Sequence, residues 1–471
     1  MMSNRLRMGI SIIAIFSLFV TTVGAAYIFR TGGTILIDHG SLYVDGLTLD
    51  QYIIGLVGVG GGRFDQSLNT TDVVTFENVT VTDSITLGGV TRSTWTTSEA
   101  SYTISTDAGI YYAENGTTGE IKQSTSLSGL WNTINAETSG LVAEFTVGTF
   151  IVDGPLVIQS SDTVIRGQGP QATILQLANN VNNDIIQMTT YYHNVVIKDI
   201  CLDGNRDNQN AGKGIDFNCD TTTYGGGSQY WGWFSFENIM VVDCDEAGVY
   251  VRSGSGLHNS GAIHNFRIFD NDGGASGHQL ELVRLFDTFV GGPKASVTSM
   301  RLNACTRGTF EGVYFGGGMD NVVAIEGGAA DTCGGHLFSG CKFDNGAGSV
   351  LQLTGYACRN LFVGCQFTNF NQNAANNTYP CVSLESANAL YNKFIGCTFT
   401  HDTVKTEDRW TYAYQETQDG YTQIISCVSG YGAVLGGNAE HFTTNEADLV
   451  AGSHTIISEC YKDDGNTWGI D

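Results

Sequence analysis

The twelve residues DICLDGNRDNQN at positions 199–210 gather three aspartates, an arginine and three asparagines directly behind the apolar run NVVIK. Two chemistries use such groups. Two carboxylates across a sugar-binding groove, one acid and one base or nucleophile, cleave glycosidic bonds. A base that removes the proton alpha to a uronate carboxyl, with cations neutralising that carboxylate, eliminates or epimerises instead. Asp203 and Asp243 are the candidate catalytic carboxylates, with Arg206 taking the acid groups of a substrate. Arg252 and Lys213 are further candidate cations, and Asp207, Asp245, Glu246 and Asp270 are candidate substrate-binding groups. Neither chemistry requires a cofactor, although Ca²⁺ held by Asp203 and Asp243 would neutralise a uronate equally well. The competing reading is architectural, since Asp, Asn and Gly are the residues tight turns demand.

The elements that would position these residues repeat along the chain. The pattern reads DICLD at 199, NIMVV at 238, NFRIF at 265, GVYFG at 312, GCKFD at 340, GCQFT at 364 and GCTFT at 396. Each copy is a small or turn-forming residue followed by two apolar positions with one variable residue between them. The offsets are 39, 27, 47, 28, 24, 32 and 30, the last leading to a degenerate copy, SCVSG, at 426. Another, ECYKD, follows at 459. The offset of 47 spans two turns, and LVRLF at 282–286 is the expected missing member. A second series, GIDF at 214, GVYV at 248, VAIE at 323, LQLT at 351 and VSLE at 382, follows the first.

Short strands with period-two alternation in repeats of this length predict a solenoid, and the absence of a helical stripe makes it a parallel β-helix. Ile200, Ile239, Phe266, Val313, Cys341, Cys365 and Cys397 should form one inward column. Leu202, Val241, Ile268, Phe315, Phe343, Phe367 and Phe399 should form its neighbour. Roughly 10 to 13 coils at about 4.8 Å each give a rod of about 50–60 Å. In that alignment Cys201 points outward and Asp203 begins a turn, so stacking lines Asp203, Asp243, Asp245, Glu246 and Asp270 along one edge. Cys341, Cys365 and Cys397 share one repeat position and read as a ladder of small buried hydrophobes, with rung-to-rung disulfides as the alternative. No CxxC pair or Cys/His cluster suggests a metal site.

Between two coils lies TTTYGGGSQYWGWFSF (221–236), a glycine-rich insertion carrying Tyr224, Tyr230, Trp231 and Trp233. Exposed rings of this kind stack on the apolar faces of sugars; packing back onto the rod is the alternative.

Composition agrees with many short strands joined by tight turns: 61 Gly, only 4 Pro and 42 % hydrophobic residues among 471. The formal charge of −25, from 47 acidic and 22 basic residues, repels phosphate backbones and argues against nucleic-acid binding. Arg5 and Arg7 precede an uncharged stretch from Met8 to Phe29, with Val23-Gly24-Ala25 shaped like a peptidase site. Residues 1–30 therefore read as a signal peptide or a membrane anchor, the only membrane contact expected. Either places the rest of the chain outside the cytoplasm, at the cell surface or beyond. Sequons at Asn69, Asn78, Asn115 and Asn376 would then be open to glycosylation.

The segment LVAEFTVGTFIVDGPLVIQSSDTVIRGQGPQATILQL (141–177), leading into VVIKDICLDGNRDNQ, resembles the first coils of pectate-lyase-like, right-handed parallel β-helix proteins. That group includes polysaccharide lyases, polygalacturonase-like hydrolases, mannuronan epimerases and viral tailspikes. The resemblance, over about 130–465, implies a right-handed helix and an extracellular polysaccharide as partner. It carries over no catalytic roles: the Asp-Pro-His of the epimerases is absent, as is the Gly-His-Gly of the polygalacturonases, which Gly277-His278-Gln279 only partly echoes. Residues 64–95 resemble the β-rich linkers of viral tail fibres, which implies a virion location and a homotrimer. The expected layout is an N-terminal segment 1–30, a β-rich stalk 31–100 and an all-β right-handed parallel β-helix 101–471. The expected function is to recognise, and depolymerise or modify, an extracellular polysaccharide as a lyase or glycoside hydrolase; the alternative is a non-catalytic adhesin or surface-layer rod.

Overall fold

In the computed structural model the chain forms two compact units, Met1–Thr97 and Ser98–Asp471. The structure describes residues 100–190, 192–218, 231–253 and 258–269, then the strands and many of the turns between 271 and 462. In the first unit it describes short antiparallel strands, such as Ile35–Asp38 with Ser41–Val44 and Ile85–Leu87 with Val90–Arg92. No helix among the described residues is long and apolar enough to cross a membrane.

The second unit is a right-handed parallel β-helix built from three parallel ladders, here called sheets A, B and C. Sheet A includes Val142–Phe145, Val164–Arg166, Ala262–His264 and Leu361–Val363, and sheet B includes Gly148–Val152, Thr173–Leu177, Arg267–Phe269 and Gln366–Thr368. Sheet C, with 11 strands, includes Ile215–Asn218, Val249–Arg252, Leu280–Val283 and Met300–Asn303. Each coil runs A, B, C and on to the next.

The turn-forming residue of the sequence repeat is the corner between sheets A and B. Asp199, Asn238, Asn265, Gly312, Gly340, Gly364, Gly396 and Ser426 all adopt positive φ, from 50° at Asn238 to 62° at Gly312. One left-handed residue bends the chain from one sheet into the next, and Gly, Asn and Asp tolerate it best. The two anticipated inward columns are buried, Ile200 stacking on Ile239 and Leu202 on Val241 and Ile268.

One reading needs correction. The missing member of the 47-residue interval is Ser296–Val297, which pairs with Arg267–Ile268 before it and Tyr314–Phe315 after it. LVRLF instead supplies Leu282 and Val283, the end of the sheet C strand Leu280–Val283. That coil hides from the pattern because its corner is a wider turn, with Ala295 N–H donating to Gly292 O at 3.0 Å. Cys201 lies on the outward side of its strand yet is 2 % exposed, and burial, then Asp203 and Asp243, push its thiol up to about 12.

The cysteine column continues through the degenerate copies of the repeat, at Cys427 and Cys460. All eleven described cysteines are free thiols. Each ladder thiol bonds a carbonyl of an earlier coil, as Cys365 Sγ does with Phe338 O and Cys397 Sγ with Phe362 O, both at 3.4 Å. Phenylalanine stacks flank the column: Phe338, Phe362 and Phe394 lie 4.8 and 4.7 Å apart between centroids, and Phe343, Phe367 and Phe399 lie 4.6 and 4.9 Å apart. At the bend from sheet C to sheet A buried polar groups stack instead. His336 Nδ1 accepts from Gly308 N–H at 2.9 Å, and Asn392 Oδ1 accepts from Asn360 N–H at 3.0 Å.

Helix α1 (Leu127–Glu137) covers the N-terminal end of the rod. Its stripe of Leu127, Leu130, Trp131 and Ile134 is buried, and Trp131 Nε1 donates to Val157 O at 2.8 Å. The cap keeps the first coil's apolar interior from water, as terminal repeats of solenoids must.

Candidate functional site

The inward residues of sheet C leave the alternate ones outside. One outward row reads Gln187, Asp216, Tyr250, Glu281 and Arg301 on successive coils. The next reads Asn218, Arg252, Val283, Asn303 and Glu326. Acidic, basic and aromatic groups therefore meet on one face at coil spacing of about 4.8 Å.

Asp216 sits between the inward Ile215 and Phe217, and its carboxyl is largely buried, with Oδ1 lacking any hydrogen-bond partner. Burial, then the neighbouring Asp184, push its pKa up to about 7. Lys213 Nζ lies 3.7 Å from Asp216 Oδ2, 4.0 Å from Asp184 Oδ1 and 3.0 Å from Glu246 Oε2. Burial opposes the charge on Lys213, but the three acids outweigh it and hold its pKa above the ordinary value. Asp184 is held on both oxygens, by Lys213 N–H at 2.9 Å and Gln187 Nε2 at 3.2 Å. Glu246 is more open and arrives on the turn from sheet B, where its N–H donates to Gly212 O.

Further along, Arg301 makes two bonds to Glu326 Oε2, at 3.0 Å from Nε and 2.7 Å from Nη2. His278, 9 % exposed, has its Nδ1 buried without a partner, and burial and then Arg301 push its pKa down to about 4. Glu281 Oε1 is likewise buried without a partner. Tyr250, Arg252, Glu281, Arg284, Arg301 and Asn303 line a hollow of about 270 Å³ on this face.

The residues singled out by sequence lie mostly at the turn from sheet B to sheet C. Asp203 accepts from Asn205 N–H at 2.8 Å and from Gln176 Nε2 at 2.7 Å, so both oxygens are engaged. Arg206 Nη2 lies 3.9 Å from Asp243 Oδ1 on the partly exposed rim, and Asp207 is exposed on the same short 3₁₀ turn. Asp245 lies on the turn that also carries Asp243 and Glu246. These bonds leave Asp203 poorly suited to Ca²⁺, and no cluster of three or more metal-ligating side chains occurs among the described residues. Trp233 is 45 % exposed on the strand leading into sheet A, paired with Ser260. Trp231 is on that strand too, but its side chain lies outside the described residues, as do Tyr224, Tyr230 and Asp270 entirely.

Asp184, Glu281 and Arg301 escaped the sequence reading, and Asp216 was seen only as part of a strand. The available signal was alternation: in GIDF, Asp216 falls between two inward residues, where no turn needs a carboxylate.

Among solved structures the chain is similar to tailspike protein 2 of the Escherichia coli O157:H7 bacteriophage CAB120. Identity is 12 %, TM-score 0.51, and the match covers 95 % of this chain and 63 % of the tailspike. It is also similar to the A-module of the Azotobacter vinelandii mannuronan C-5 epimerase, at 17 % identity and TM-score 0.38 over 67 % of this chain and 90 % of that one. A third is the catalytic unit of a Streptomyces thermodiastaticus α-1,3-glucanase, at 13 % identity and TM-score 0.43 over 72 % and 66 %. No family model and no curated protein matches the chain. At these identities the likeness is one of fold, the right-handed parallel β-helix.

Proposed function

We propose that this chain is an exported, surface- or virion-borne protein that binds a polysaccharide along the outer face of sheet C and cleaves its glycosidic bonds there. The observation that carries the reading is Asp216, a carboxyl held at about 7 beside Asp184, Glu246 and Lys213. An acid that keeps its proton near neutral pH, next to a second carboxylate, is the division of labour glycosidic cleavage needs. Asp216 donates its proton to the leaving oxygen. Glu246, the carboxylate with the most open position, assists water or the developing positive charge, while Lys213 holds the two acids together. Arg252, Arg284 and Arg301 line the adjoining hollow and suit acidic substituents. Asp203, Arg206, Asp207, Asp243 and Asp245 form the rim where substrate is held, with Asp270 and the aromatic insertion (Tyr224, Tyr230, Trp231, Trp233) as further contacts. The likeness of residues 64–95 to fibre linkers extends the proposal to a homotrimer. A non-catalytic adhesin is the second reading, favoured by the engagement of both oxygens of Asp184 and of Asp203.

The test is incubation of the full chain with neutral and uronic-acid polysaccharides, following reducing ends and the ultraviolet absorbance of unsaturated sugars. Reducing ends alone, falling as pH rises through about 7 and lost in Asp216→Asn, are expected. Unsaturated products would move the chemistry to elimination and the roles to His278 and Arg301. Binding without either signal would leave the adhesin.

A further inference from the structure

Away from sheet C, the outward row of sheet B reads Arg267, Ser296, Tyr314, Lys342 and Gln366 on successive coils. Small Ser296 between long Arg267 and the Tyr314 ring leaves a groove of about 530 Å³, further lined by Lys294, Thr298 and Gly316. Its far wall is held in place. Tyr314 OH donates to Asp344 Oδ2 at 3.0 Å, and Lys342 Nζ bonds the same oxygen at 3.0 Å. Asp344 is itself 6 % exposed and takes Thr368 Oγ1 on its other oxygen at 2.8 Å. Lys342 Nζ lies 5.7 Å from the ring centroid, on the coil beyond the groove. Gly316 makes the pose possible, because a Cβ there would lie 2.6 Å from Cε1, Cζ and OH of Tyr314. The ring is 38 % exposed all the same.

Two of the cations in the groove lack a carboxylate partner, as Lys198, Arg359 and Lys393 do elsewhere among the described residues. Lys122, Arg166, Arg206, Lys213, Arg301, Arg307 and Lys342 each lie within ion-pair distance of a carboxylate. Arg267 and Lys294, both exposed, have no such partner among the described residues. In a protein of net charge −25, two cations without a carboxylate beside a fixed aromatic wall are complementary to an anion that also presents a flat apolar face.

We propose that this groove on sheet B is a second carbohydrate site, separate from sheet C, which binds an acidic pyranose residue. The Tyr314 ring stacks against the sugar while Arg267 and Lys294 hold its carboxylate or sulfate. Such a site would retain an acidic polysaccharide whether or not sheet C cleaves it, so the inference stands apart from the proposed activity.

The test is calorimetric titration of the full chain with tetragalacturonate, an O-sulfated tetrasaccharide and neutral maltotetraose. Binding of at least one acidic probe, weakened by added salt and about tenfold or more weaker in R267A/K294A and in Y314A, is expected. Tyr314→Phe, which keeps the ring and loses only its bond to Asp344, should bind better than Y314A. Melting curves of the variants check that they fold, and Lys393→Ala, at an exposed cation on the sheet A strand Lys393–Ile395, should bind normally. Acidic probes that bind neither better than maltotetraose nor at all would overturn the inference. So would binding that survives R267A/K294A and disappears in R301A, since the ligand would then lie on sheet C.

Discussion

Replacing Asp216 with asparagine tests the central group through stability, without any substrate. The folded carboxyl titrates at about 7 against an ordinary value of 3.8. Between those values the folded chain holds a proton that the unfolded chain has released, so stability falls as pH rises through this window. The difference corresponds to about 4 kcal/mol, absent below pH 3.8 and fully expressed above about 7. Asparagine has nearly the same shape and does not titrate, and Lys213 keeps Glu246 at 3.0 Å and Asp184 at 4.0 Å. The variant should therefore gain stability relative to the parent as pH rises from about 4 to about 8, approaching about 4 kcal/mol at the upper end. Because a long solenoid need not unfold in one step, the local readout is amide hydrogen exchange of Ile215–Asn218 and the paired Val249–Arg252, alongside thermal melts. A difference between variant and parent that stays flat from pH 4 to 8 would refute the reasoning, for Asp216 would then titrate as an ordinary carboxyl.

Three further outcomes check the rod that carries the site. Phe362→Ala, made where a fully buried ring lies between Phe338 and Phe394, should cost about 3–5 kcal/mol and raise hydrogen exchange chiefly in strands 337–339, 361–363 and 393–395. Asn392→Ala removes the acceptor of Asn360 N–H and Asn360 Nδ2 and both donations to Ala357 O and Ala389 O; each group left unpaired should cost about 1–3 kcal/mol, read in urea melts. The ten buried cysteines among those described should resist alkylation in the native protein, unlike the partly exposed Cys358, and all should label after denaturation without reductant; a need for reductant would reveal disulfides where the structure has free thiols.

The fold was legible because a coil repeats its physical demands. A left-handed corner selects Gly, Asn or Asp, and the inward positions two residues apart select apolar side chains, so GCKFD, GCQFT and GCTFT announce themselves. Where the demand is met by other means the signal fades: the coil at Ser296–Val297 turns its corner through Gly292–Ala295 and was assigned to the wrong segment. Helix α1 occurs once, as a cap, and a solenoid repeat says nothing about the piece that ends it. Its four buried apolar residues, spaced three, one and three apart, were there to be read as a helical stripe.

The candidate site was less legible, and comparison of Asp203 with Asp216 shows the physical reason. Both lie on parallel strands with inward neighbours. Asp203 is at a strand end, where the backbone turns and a free N–H two residues on captures its oxygen. Aspartates crowd such places, so they are conspicuous in the sequence while their acceptors are already taken. Asp216 is in mid-strand, where the ladder satisfies the backbone and no local N–H is left for the side chain. Its ionised form has little to compensate its burial, and the carboxyl keeps its proton instead. A mid-strand carboxylate makes no turn, and Asp216, with Oδ1 unpartnered, is the one whose proton remains available for transfer. In a parallel β-helix the acids to test first are therefore those flanked on both sides by inward apolar residues, as in Ile215-Asp216-Phe217 and Leu280-Glu281-Leu282.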